Sequence, residues 1–108
     1  MDAAATELAD RVRALLMSEP ALEEKRMFGT RAFLLHGRIL VGTRKEGVLL
    51  VRVTEERGAA LLSEPGVSVA VMGAKTMGPS WLDVAPTAIE DDDALVSWID
   101  AARDSAGA

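Results

Sequence analysis

With 108 residues and no cysteine, the chain has room for one domain and cannot form a disulfide, a thiolate zinc site or a cysteine nucleophile. Its net charge of -5 is unevenly spread: eight bases meet three acids between Lys25 and Arg57, whereas two bases meet eight acids from Gly58 onward. The opening Met1-Asp2-Ala3-Ala4-Ala5-Thr6-Glu7 lacks the basic start of a signal peptide, and no apolar run approaches the roughly 20 residues of a bilayer span, so a soluble cytoplasmic domain is expected.

Leu8, Val12, Leu15 and Leu16 recur at helical spacing and predict a first helix, capped by Thr6 and ended by Ser18-Glu19-Pro20. The period then becomes extended. Arg26 to Leu35 reads as a strand, His36-Gly37 as a turn, and Arg38 to Arg44 as a second strand. Lys45-Glu46-Gly47 turns the chain into a third strand, Val48 to Val53. A short helix from Glu55 to Leu62 follows, capped by Thr54 and stopped by Pro65-Gly66. Val67 to Met72 and Ser80 to Val84 are the next strands, with a turn-prone loop from Gly73 to Pro79 between them. Leu95, Trp98, Ile99 and Ala102 mark the closing helix. The acids Glu90 to Asp93 gather at its start, where the helix dipole favours them. The expected architecture is one two-layer α+β domain over residues 1–108, ordered α-β-β-β-α-β-β-α, with a mainly antiparallel sheet.

Strand parity assigns faces. Ile39, Val41 and Thr43 share one side, and Arg38, Leu40, Gly42 and Arg44 the other; Leu49, Val51 and Val53 oppose Val48, Leu50 and Arg52. One side is core. The other mixes leucine and valine with arginine, and is too apolar for full exposure, so a helix or a second copy of the chain should cover it.

Glu23-Glu24-Lys25-Arg26-Met27-Phe28-Gly29, followed by Ala32-Phe33 and Gly37, resembles the opening of the TfoX N-terminal domain family. A second block, Met77-Gly78-Pro79-Ser80-Trp81-Leu82-Asp83-Val84, is similar to that family's late methionine, glycine and tryptophan strand. Thr30 stands where the family usually has a second glycine. The resemblance implies a two-layer, secretion-chaperone-like fold and a link to transcriptional control of competence through protein contacts. Full-length competence regulators of the family carry a second domain, and no DNA-contacting role of that other domain carries over.

Chemistry has few footholds. His36 is the single histidine and reads as a turn residue; Asp91-Asp92-Asp93 lacks the spacing of a calcium loop and reads as a helix start. No glycine pattern matches a phosphate loop, and neither a metal nor a cofactor is expected. Glu23, Glu24, Lys25 and Arg26 are the candidate polar site, either as an acid/base group or as a solvated loop. Met27, Phe28 and Trp81 are expected to cluster, and with Arg38, Arg44 and Arg52 they form the candidate partner surface. The leading expectation is a non-enzymatic protein-interaction module with a transcription regulator as partner, and a homodimer as the other assembly. Direct nucleic-acid binding through the basic strands is the alternative, against which four aromatics and an acidic total charge weigh. A small-molecule site or enzyme at Glu23 to Arg26 is the third.

Overall fold

In the computed structural model, which describes residues 2–27 and 29–106, α1 (Ala3–Leu15) is followed by β1 (Leu22–Met27), β2 (Thr30–Leu35), β3 (Arg38–Thr43) and β4 (Leu49–Arg52). A short α2 (Glu55–Leu61) leads to β5 (Val67–Val69), the small strands β6 (Val71–Met72) and β7 (Lys75–Thr76), then β8 (Trp81–Val84) and α3 (Asp92–Ala106). The main sheet has six strands in the order β1-β2-β3-β4-β8-β5, all neighbours antiparallel, and β6 pairs β7 separately. The class is α+β, as the patterning indicates.

Element boundaries depart from expectation in three places. Helix α1 starts at Ala3 because Asp2, not Thr6, is its cap: the Asp2 carboxylate accepts the N–H groups of Ala4 at 2.9 Å and Ala5 at 3.2 Å. Thr6 lies one turn inside, the three alanines before it being good helix formers. The stretch expected to be one strand from Arg26 to Leu35 is divided between two strands, β1 ending at Met27 and β2 beginning at Thr30, and Gly29 ahead of β2 has φ +75°. The charged run before it is not a loop. It is the edge strand β1, whose central residues are exposed on both faces and so show no apolar alternation. The long strand expected from Val67 to Met72 breaks at Ala70, and its second half joins β7 within the expected loop.

The face assignment also changes, at β3. Phe33 pairs with Val41 but Leu34 pairs with Ile39, so Leu40 is the extra residue of a β-bulge. Leu40 and Val41 therefore both belong to the core cluster, each fully buried, although simple alternation puts Leu40 among the arginines. Beyond the bulge the parity is reversed. Arg38 pairs with Leu35 and reaches the helix layer, where its guanidinium donates to the Ala106 carbonyl at the end of α3, 3.2 Å away.

The core lies on one side of the sheet. Leu8, Ala9, Val12 and Leu16 from the first helical segment, and Leu95, Ile99, Ala101 and Ala102 from α3, share one cluster with Phe33, Val41, Leu49, Val51, Leu82 and Val84. Each fully buried leucine or valine in it contributes about 1.5–3 kcal/mol. Helix α2 lies on the same side, with Arg57 3.8 Å from Asp104 of α3 and Gly58 against the core valine Val53. Among the described residues no helix lies on the other face.

Gly58 is where α2 meets the chain ahead of β8. A Cβ at this position would fall 1.7 Å from the Pro79 carbonyl oxygen and 3.2 Å from Val53 Cγ2. Glycine in a helix interior costs about 1 kcal/mol relative to alanine, so propensity alone favours replacement. The backbone clash is larger. Gly58→Ala is expected to lower Tm in a thermal melt; a rise would show that α2 can move away from Pro79 without loss.

Candidate functional site

Alternation along β1 divides the four consecutive charges. Glu24 pairs with the core residue Phe33, and Arg26 with Arg31, so both face the helix layer; Glu23 and Lys25 pair with Leu34 and Ala32 and face away. The expected polar site is therefore split between two surfaces. Its inward half is built into a charged clasp. Arg13 of α1 donates to both Glu24 oxygens, at 2.9 and 2.8 Å, and to Asp10 at 2.7 Å. Arg31 stands 3.7 Å from Glu24. The clasp ties the last turn of α1 to the sheet edge.

Between α1 and the ends of β1, β2 and β3 lies an open cleft of about 590 Å³. Asp2, Asp10 and Arg13 stand on its helix wall, and Arg26, Arg31 and Lys45 on its strand and turn wall. Asp2 is already engaged, since it caps α1 and also accepts the Glu46 N–H. That third bond helps hold the turn in which Glu46 has φ +64° and Gly47 φ +80°. The hydrogen bond from Glu46, followed by those from the α1 cap, holds the Asp2 carboxyl below the usual carboxylate range. Thr30 and Thr43 are buried, 4% and 3% exposed: Thr43 shares the helix side with its register partners Arg31 and Leu49, while Thr30 alternates with Arg31 and turns to the other face. Thr30 accounts for its own departure from a glycine pattern: its Cγ2 lies 2.6 Å from where a Gly42 Cβ would be, filling the space that Gly42 leaves.

The expected partner surface is dispersed. Arg44 donates to both Asp83 oxygens at 2.8 Å and to the Val71 carbonyl at 2.7 Å, fastening β3 to β8 and to the β6–β7 hairpin. Arg52 lies over the Trp81 ring at 5.2 Å. Arg38 is on the helix side, and shares with Arg52 a smaller cleft of about 180 Å³ at the end of α3. Met27 on β1 and Trp81 on β8 stand four strand intervals apart, about 19 Å at ordinary strand spacing, so they form no cluster. Phe28, the third member expected there, lies outside the described residues. His36 is a turn residue, at φ +52° beside Gly37 at +78°, the pairing a two-residue hairpin turn needs. The acidic run serves the helix start: Asp91 accepts the Ala94 N–H at 2.8 Å, and Asp92 binds Arg11 of α1 at 3.0 Å.

Sequence reasoning missed Arg13, Arg31 and Lys45. The spacing of Asp10 and Arg13, three apart on a helix, was the visible signal for the first. Nothing local marked the other two, which reach the cleft through strand pairing and a turn.

The clasp has a pH signature. Hydrogen bonds from Arg13, then its charge and that of Arg31, hold the Glu24 carboxyl below its ordinary range, while partial burial opposes them. Glu24 in turn raises the Arg13 guanidinium. A carboxylate held low in the folded state stabilises above its unfolded pKa, and that contribution is lost as pH falls through the folded value. Glu24→Gln is expected to cost about 1 kcal/mol at neutral pH, roughly 4–8 °C in Tm for a domain of this size. The difference from the parent should close in acid. A pH-independent difference would assign the loss to packing instead.

Comparison with known proteins follows the same outline. A crystal structure of a protein from Pseudomonas syringae superimposes with a TM-score of 0.62 at 11% identity, covering 86% of this chain and 93% of that one, which is a likeness of fold alone. No curated protein sequence matches the chain. The family model of the TfoX N-terminal domain matches residues 14–106, from the end of α1 through the whole sheet to the end of α3. The chain belongs to the TfoX N-terminal domain family.

Proposed function

We propose that the domain is a non-enzymatic protein-interaction module in transcriptional regulation linked to competence, and that its helix-free sheet face makes the contact. Family membership supplies the regulatory context. The observation that carries the choice of surface is the Arg52–Trp81 stack, 5.2 Å from guanidinium to ring, on a sheet face with no helix over it among the described residues. Tryptophan and arginine dominate the energetics of protein contacts because each presents a large area with a directed polar group. Partly buried Ile39 belongs to the same face, and the β6–β7 hairpin with exposed Val71 borders it. Arg44 is committed to Asp83 and Val71, so Arg52 is the arginine of this face left to meet a partner.

The test is affinity capture from a nuclease-treated lysate, comparing the parent with Arg52→Glu. A transcription regulator captured by the parent and lost with the variant is expected. The variant should lose at most the roughly 0.5–1 kcal/mol of an exposed cation–π pair, so its melt stays close to the parent's. Equal capture by both would remove this face from the proposal. Partners that vanish with nuclease would favour the nucleic-acid alternative. A dimer abolished by the same substitution would make a second copy the partner.

A further inference from the structure

The cleft beside α1 holds more positive charge than its own acids neutralise. Four bases line it, Arg13, Arg26, Arg31 and Lys45. Arg13 is spoken for by Glu24 and Asp10, and Arg31 shares Glu24 at 3.7 Å. Asp2 has its oxygens on three backbone N–H groups. Arg26 and Lys45 make no ion pair and no side-chain hydrogen bond among the described residues. Four bases thus face three carboxylates, Asp2, Asp10 and Glu24, which leaves one net positive charge at Arg26 and Lys45.

We propose that this cleft is a binding site for a small molecule carrying an oxyanion, a phosphate monoester or a carboxylate, held by Arg26 and Lys45 with Arg31 behind them. The volume, about 590 Å³, lies within the ~300–1,000 Å³ of small-ligand sites. An arginine fork engages two oxygens of such a group at once, and a lysine supplies a mobile point charge beside it. The mixed walls favour a small anion over a polyanion. Asp10, on the helix wall with its carboxylate 66% exposed, would repel an extended phosphate backbone but leaves room for one compact group opposite. The site lies on the helix side of the sheet. It is thus separate from the Arg52–Trp81 surface, and goes beyond the interaction role proposed for that surface.

Inorganic phosphate and citrate are the probes, titrated at low ionic strength and followed by amide chemical shifts. Saturable binding of either is expected, with shifts confined to Arg26, Arg31, Lys45 and their neighbours. Arg26→Gln and Lys45→Gln should each weaken it by about tenfold, the loss of one charge-assisted hydrogen bond. Both side chains are exposed, so both variants should keep the parent's melt. Arg52→Gln, on the opposite face, should bind as the parent does. Response to phosphate but not citrate would identify a phosphate ligand, and the reverse a carboxylate. Shifts spread over every surface base, equal binding by the variants, or no saturable response to either probe would overturn the proposal. So would duplex DNA or an acidic peptide occupying the cleft where both small anions fail.

Discussion

All three helices lie against one face of the sheet, so each strand must divide its side chains between a helix layer and a surface with no helix over it among the described residues. On the helix side this is ordinary burial, with leucine and valine from the central strands meeting α1 and α3. The opposite side needs another solution. Ala32, Gly42 and Leu50 sit in register across β2, β3 and β4, and Leu50 is only 2% exposed although it lies outside the main core cluster. Thr30 and Leu50 border the space above Gly42, and the Arg44–Asp83 pair and the Arg52–Trp81 stack lie on the same face.

The same division decides what each charged residue does. Along β1 it sends Glu24 and Arg26 inward and Glu23 and Lys25 outward. Glu24 then meets Arg13 and fixes α1 to the sheet edge, and Arg26 is left in the cleft beside Lys45. An edge strand carrying charge on both faces is also a poor template for pairing with another chain, which protects an otherwise open sheet. Paired acids hold the helix layer in place, while Arg26 and Lys45 form no ion pair among the described residues.

Much of this was legible in the residues. The two long helices, the His36-Gly37 turn, the Thr54 cap and the antiparallel hairpins follow from local chemistry, which acts over a few positions. Thr54, for example, accepts the Arg57 N–H as its position before α2 implies. What could not be read was set by pairing at a distance. The bulge at Leu40 is a property of two strands, and no single-strand alternation reports it. The break at Ala70 depends on its bonds to Trp81 and Met77. Gly58 reads as a weak helix residue until Pro79 is placed above it. The cleft combines a helix, a hairpin and a turn that are far apart in sequence, so only one of its bases, Arg26, was singled out from its local setting.

The one-sided placement of the helices is tested most directly by methyl–methyl nuclear Overhauser contacts in solution. Leu40 and Val41, both in the shared cluster, should contact the methyl groups of α1 and α3, including Val12 and Ile99, while Leu50 should contact neither helix. Contacts from Leu50 to α1 or α3, or from only one of Leu40 and Val41, would contradict the bulge and the division of faces that rests on it.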